Sequence, residues 1–154
     1  MKILVLSDIH GLVSYAERMI ERETPDEVIF LGDGLRDIKE SAKFFKGVRF
    51  HFVQGNCDFF DAPEERFVLL GGKNIFFSHG HRYNVKMERQ LNYITLRTKA
   101  ADMGADIVLF GHTHQPDIVL MNGMVIMNPG AVMAGKYGVI EIAGDKILPE
   151  LRSL

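Results

Sequence analysis

The chain has 154 residues, 47% of them hydrophobic and 25% charged, with 18 basic against 20 acidic side chains and a formal net charge of -2. That length fits one domain, residues 1–154, with a single buried core, and the charge balance argues against a protein that coats nucleic acid or an anionic membrane. A lone cysteine, Cys57, excludes an internal disulfide and points to the cytoplasm, while no apolar run reaches the roughly 20 residues of a membrane span or forms a signal peptide.

In chain order, short apolar runs of strand length come first: KILVLS from Lys2, EVIFL from Glu27, RFHFVQ from Arg49, RFVLL from Arg66, NIFFS from Asn74 and DIVLF from Asp106. Helical spacing appears between several of them. Val13, Ala16 and Ile20 recur after a turn that starts at Ser14 or Gly11, and Ile38, Ala42 and Phe45 recur in the next gap, closed by Gly47. A third helix, from about Met87 to Met103, would place Met87, Leu91, Ile94 and Ala101 on one side. After it come DIVLM, the turn pair Asn122-Gly123, MVIM, YGVIEI, a turn at Gly144-Asp145 and a last short strand, which read as antiparallel hairpins. Parallel units followed by hairpins suggest an α/β protein of two packed mixed β-sheets flanked by helices.

Polar residues follow the strands in a regular way. Strand ends run into Asp8-Ile9-His10, Gly32-Asp33, Gly55-Asn56-Cys57-Asp58, His79-Gly80-His81 and Gly111-His112-Thr113-His114. Ligands of α/β folds bind beyond the carboxyl ends of strands, so five such ends can gather these side chains in one crevice. In an extended segment residues i and i+2 share a side, which would aim Asp8 with His10, and His112 with His114, into one pocket. Imidazole and carboxylate donors without a run of thiolates suit Mn, Fe, Co, Ni or Zn rather than a cysteine-rich structural zinc site. Singly, each residue has an ordinary alternative, such as a helix cap at Asp8 or a turn at Asp33-Gly34. His51, mid-strand and outside every motif, reads as structural or surface.

The ordered set resembles the signature of the calcineurin-like metallophosphoesterases: Asp-x-His, Gly-Asp, Gly-Asn-His-Asp/Glu, a later His and Gly-His-x-His. The likeness spans residues 8 to 114, and the Gly-Asn-Cys-Asp variant resembles their small single-domain prokaryotic phosphodiesterases. MNPGAV, Met127 to Val132, is similar to an Asn-Pro-Gly-Ser segment of that group, with Ala131 in place of serine. The resemblance implies the sandwich fold of that family and two divalent metal ions, manganese first, with Ni, Fe, Co or Zn as alternatives. It implies Asp8, His10 and His114 on one ion, Asn56, His79 and His112 on the other, and Asp33 bridging both. Ions about 3.5 to 4 Å apart can clamp the attacking and leaving oxygens of an in-line displacement and turn a shared water into hydroxide that attacks a phosphodiester. Asp58 is implied to orient a neighbour rather than bind metal.

Cys57 departs from the family pattern, which has a histidine there to stabilise the transition state or protonate the leaving oxygen. A thiol donates hydrogen bonds weakly and carries no positive charge. Activity is therefore expected to favour esters with good leaving groups, unless His81 takes over as the acid; alternatively, Cys57 is a small buried apolar residue. Arg36, Arg82, Tyr83 and Asn84 are candidate substrate contacts, and Phe59 and Phe60 are candidates for packing beside the site or for an interface between copies. The expected partner is a small phosphodiester, with no nucleic-acid signal and no membrane. Two other functions stay open: a silent metal-binding scaffold for protein association, as a retromer subunit of this superfamily is, and a hydrolase of another phosphate ester or anhydride.

Overall fold

Apolar runs without alternation need cover on both faces. The computed structural model, which describes residues 1–59 and 62–154, provides it for Ile3–Leu6, Val28–Phe30, Ile75–Phe77 and Ile107–Leu109, while Phe67 and Leu69 of the RFVLL run stay exposed. In chain order the elements are β1 (Lys2–Leu6), α1 (Val13–Glu23), β2 (Glu27–Phe30), α2 (Leu35–Ala42), β3 (Arg49–Phe52), β4 (Glu65–Leu70), β5 (Lys73–Ser78), α3 (Ile94–Asp102), β6 (Ile107–Leu109), β7 (Asp117–Met121), β8 (Met124–Asn128), β9 (Lys136–Ala143) and β10 (Lys146–Ser153). They build two five-stranded mixed sheets, ordered β10-β9-β1-β2-β3 and β4-β5-β6-β8-β7. β1, β2 and β3 run parallel in the first sheet, as do β5, β6 and β8 in the second; the remaining strands pair antiparallel.

Alternation along β1 shows how the layers form. Ile3 and Val5 enter the space between the sheets with Ile29, Phe77, Leu109 and Met127. Leu4 and Leu6 point the other way, onto Ala16, Met19 and Ile20 of α1 and Leu35 and Ile38 of α2. On the outer face of the second sheet, Phe76 and Val108 meet Leu96 and Ala100 of α3. Burying each such Leu, Ile or Phe is worth about 1.5–3 kcal/mol. No helix among the described residues is long and apolar enough to cross a membrane.

Several local expectations are corrected. α3 begins at Ile94 rather than near Met87, because Asn92 and Tyr93 adopt left-handed φ values of 51° and 53° that interrupt any longer helix. Glu88 then caps the new start, accepting from Thr95 N at 2.8 Å and from Thr95 Oγ1. The buried face is Leu96 and Ala100, not Met87 and Leu91, which are 83% and 60% exposed. α2 stops at Ala42, and Phe45 packs on the core from the turn beyond it. α1 starts at Val13 with Leu12 as its cap residue and no side-chain cap. β4 and β5, which lack a helix between them, form an antiparallel hairpin, and the last strand spans eight residues. Phe59 is 93% exposed and does not pack beside the site; Phe60 lies outside the described residues.

Two buried carboxylates hold the first sheet and its helix. Glu27 takes Arg49 and His51 as partners, with His51 Nε2 at 2.9 Å, so His51 is structural. Glu23, 3% exposed, accepts from Lys2 Nζ at 2.8 Å, Arg152 Nη1 at 2.6 Å and Tyr137 OH at 2.8 Å. Burial alone would raise its pKa, but these three donors win and lower it to about 2 from 4.5. A depressed folded pKa contributes stability that is present above the unfolded value and lost as pH falls through the folded one. Glu23→Gln should cost about 2–3 kcal/mol at neutral pH, leaving Tyr137 and two cations partly unsatisfied. The gap to wild type should close between pH 4.5 and 2, as read by denaturant unfolding; a gap independent of pH would show that the ion cluster contributes nothing.

Candidate metal centre

Five strand ends do converge, three from the first sheet and two from the second. β1 delivers Asp8 and His10, β2 delivers Asp33, and the loop after β3 delivers Asn56; from the second sheet β5 delivers His79 and β6 delivers His112 and His114. Backbone bonds lock the first ends together: Asp8 N donates to Gly32 O at 3.0 Å and Ile9 N to Asp33 O at 2.8 Å. Gly111 N donates to His79 O at 3.0 Å and joins the second pair.

The local backbone is not the extended one that i, i+2 spacing suggested. Asp8, His10, Asp33, His112 and His114 all have left-handed φ, from 43° to 66°. Such conformations are uncommon outside glycine and cluster where surrounding structure forces them. Three of the five strand ends thus curl in through left-handed residues, a cause of convergence that the i, i+2 spacing does not show.

Asp8 is fully buried, and its two oxygens differ. Oδ2 accepts from Ser7 Oγ at 2.5 Å and from His112 N at 3.1 Å. Oδ1 has no hydrogen-bond partner, although His114 Nε2 lies 3.0 Å away and His10 Nε2 3.7 Å. A buried carboxylate oxygen without a donor is costly. A cation shared with the two imidazoles would satisfy it, and the donor atoms of Asp8, His10 and His114 lie within 4.8 Å of one another.

His79 faces a second such point. Its Nδ1 lies 2.7 Å from Leu31 O, an atom that can only accept, so Nδ1 carries the proton. In the neutral ring Nε2 is then a bare lone pair, 3.0 Å from Asn56 Oδ1 and 3.4 Å from Asp33 Oδ2. Three acceptors facing one another require a proton or a cation between them. Burial opposes a charged His79, but the contact with Asp33 and the charges of Asp8 and Asp33 prevail and raise its pKa. The ring of His112 packs 5.1 Å from that of His79, and burial followed by the charges of His79 and Lys86 lowers its pKa to about 4. His112 is thus a free base at neutral pH, ready to donate a lone pair.

Asp33 stands between the two groups. Its Oδ2 is 3.4 Å from His79 Nε2 and 3.7 Å from His10 Nε2, while Oδ1 accepts from Cys57 N at 2.8 Å. Burial would raise its pKa, yet the hydrogen bond and charge of His79 and the Cys57 N–H hold it well below the ordinary carboxylate range. Gly55 is needed here because a Cβ would lie 2.6 Å from Asp33 N and closer still to Oδ1.

The remaining residues have different places. Asp58 spends both oxygens on backbone N–H groups of Asp33, Gly34, Leu35 and Gly55 at 2.8–2.9 Å, so it holds the Gly32-Asp33 loop and caps α2. Cys57 is exposed, not a buried apolar residue. Partial desolvation of its thiol, then the hydrogen bond and charge of Asp33, raise its pKa and keep it protonated. His81 sits 5.5 Å, ring to ring, from His79 and 6.2 Å from His112, and its buried Nδ1 lacks a partner. Burial, followed by the charge of His79, lowers its pKa, so the ring as it stands is neutral.

Arg82 is paired with Glu64 at 2.7 Å and Tyr83 with Glu65, while Arg36 and Asn84 are exposed. Asn128, fully buried, went unremarked in the sequence except as part of MNPGAV. Its amide donates to Gly111 O and to Thr113 Oγ1, both at 2.9 Å, and so fixes the loop that carries His112 and His114.

Residues 1–143 match the calcineurin-like phosphoesterase superfamily domain. The chain is 29% identical to the probable metallophosphoesterase YsnB of Bacillus subtilis, over 94% of this chain and 86% of YsnB. It is 26% identical to the phosphodiesterase YfcE of Escherichia coli, over 90% of this chain and 83% of YfcE. A crystal structure of a predicted phosphoesterase from Streptococcus pneumoniae superposes with a TM-score of 0.80 at 26% identity, covering 99% of this chain and 88% of that one.

Proposed function

The chain belongs to the calcineurin-like phosphoesterase superfamily, and on that premise we propose that it is a dinuclear metal-dependent phosphodiesterase. The observation that carries the reading is Asp33 Oδ2, set between an imidazole of each group, beside a buried Asp8 oxygen that no donor satisfies. Asp8, His10 and His114 would hold one ion, Asn56, His79 and His112 the other, with Asp33 shared. Manganese is the proposed metal, and these nitrogen and oxygen donors also accept Ni, Fe, Co or Zn. When bound, the ions would lower the pKa of a shared water and offset charge on the phosphoryl oxygens.

The chain's own residues do the rest. Two carboxylates cannot neutralise two divalent cations, so the loaded centre would keep an excess positive charge that draws an anionic ester. The backbone contacts of Asp58 and Asn128 keep both ligand loops in place without an energetic cost at the moment of reaction. Cys57 offers a protonated thiol where a stronger acid would help, and His81, whose Nδ1 is unsatisfied, would bond the leaving oxygen. Esters with good leaving groups should therefore turn over best. A free, exposed thiol fits a reducing compartment, and the cytoplasm is the proposed setting.

The test is hydrolysis of bis(p-nitrophenyl) phosphate and p-nitrophenyl phosphate by metal-stripped protein titrated with Mn, Ni and Zn. Diester turnover that needs metal and is lost in His112→Ala is the expected result. Preference for the monoester or for an anhydride would move the protein to another phosphate hydrolase. Metal uptake with no turnover of any of them would favour a role in protein association.

A further inference from the structure

Beside the centre lies a cavity of about 300 Å³ lined by Val85, Lys86, Arg89, Thr113 and Gln115. Thr113 is the residue between His112 and His114, and the Val85 side chain lies where a Cβ on Gly80, between His79 and His81, would meet it at 3.1 Å. The cavity thus touches both histidine loops. Its polar groups share one property: each keeps an N–H or O–H group to donate.

Thr113 Oγ1 accepts from Asn128 Nδ2 at 2.9 Å and from Gln115 N at 3.2 Å. A hydroxyl has two lone pairs and one proton, so only donation remains. Gln115 Oε1 accepts from Arg89 Nη1 at 2.5 Å, a bond that leaves the NH₂ group free to donate. Arg89 also donates through Nε to Asp117 at 3.3 Å and keeps further N–H groups unspent, although Asp117 offsets its charge. Lys86, in the same lining, forms no ion pair among the described residues.

From this donor surplus around one uncompensated ammonium, we propose that the cavity is a second phosphate subsite, so that the preferred substrate is a phosphodiester with a further phosphate on one arm. The proposal rests on the phosphodiesterase reading for its reacting centre. Lysine acts as a point charge on phosphate, and the three neutral or offset donors orient its oxygens. Simple dialkyl or diaryl diesters would leave the subsite empty and gain nothing from it.

The test compares the p-nitrophenyl ester of thymidine 5′-phosphate with and without a 3′-phosphate, using the metal-loaded full chain. Wild type should favour the 3′-phosphorylated ester in kcat/KM by about tenfold or more, mostly through KM. Lys86→Glu should abolish that ratio, Lys86→Arg should retain most of it, and salt should erode it. Equal specificity constants in wild type, or a ratio that survives Lys86→Glu, would overturn the subsite. Bis(p-nitrophenyl) phosphate run alongside separates the two readings: if it is not hydrolysed, the phosphodiesterase assignment has failed. Calorimetry then decides the cavity independently. Tighter binding of thymidine 3′,5′-bisphosphate than of thymidine 5′-phosphate, lost in Lys86→Glu, supports it; equal affinities sink it.

Discussion

Asp8→Asn should lose metal-dependent phosphoester hydrolysis by roughly three orders of magnitude, and yet unfold, metal-free, at the same or a higher temperature than wild type. The two effects have one cause. An amide with its oxygen in the place of Oδ2 keeps the bonds from Ser7 Oγ and His112 N. Its NH₂ then replaces the unsatisfied Oδ1 and faces His114 Nε2, so a buried unpaired oxygen becomes a donor with a partner. Replacing a buried charge by a neutral amide also removes a desolvation cost. Asparagine tolerates the φ of 56° at least as well as aspartate. Melting curves in chelator and in excess manganese check both halves. Wild type should gain thermal stability with metal and the variant should not; a variant that still gained it would remove Asp8 from the ligand set.

Gly111→Ala should abolish metal-dependent activity and destabilise the fold by about 2–3 kcal/mol. A Cβ at this position would overlap Ser7 Oγ and lie 2.9 Å from Asp8 Oδ2, where the ends of β1 and β6 meet. The backbone there is ordinary in φ, so close approach and not conformational freedom demands the glycine. Relief must come from moving the loop of His112 and His114 or rotating Asp8, and either displaces proposed metal ligands. Adding Ser7→Ala removes the nearest obstacle but not Asp8 Oδ2, so the double variant should regain part of the stability and little of the activity. Full activity in the single variant would show that the strand ends are more compliant than their packing implies.

The sequence made the centre more legible than the scaffold around it. Asp8, Asp33, Asn56, His79 and His112 each follow an apolar run, and all but the half-buried run before Asn56 are covered on both faces, which makes the signal strong. The onset of α3 is hidden because Met87 and Leu91 keep helical spacing with Ile94, whereas the helix is set by Glu88 folding back onto Thr95 and by left-handed Asn92 and Tyr93. The left-handed backbone of Asp8, His10, Asp33, His112 and His114 is hidden too, since only glycine advertises it. Asn128 and Lys86 leave no periodic trace. Asn128 acts on Gly111 and Thr113, 17 and 15 residues away, and Lys86 acquires meaning only when the loop after β5 folds against the loop after β6.

The proposed ligands are divided between the sheets, Asp8, His10, Asp33 and Asn56 on one and His79, His112 and His114 on the other. A pair of ions there would act as a cross-link, rivetting two layers that meet through apolar side chains and a few hydrogen bonds, such as those of His79 Nδ1 to Leu31 O and His112 N to Asp8 Oδ2. The chain would become a linkage system in which free metal concentration sets how firmly the layers are joined, adding stability in proportion to the logarithm of metal activity over its dissociation constant. Depletion would first loosen the rim of strand ends, leaving the buried strands of both sheets intact, and resupply would close it again without refolding the molecule.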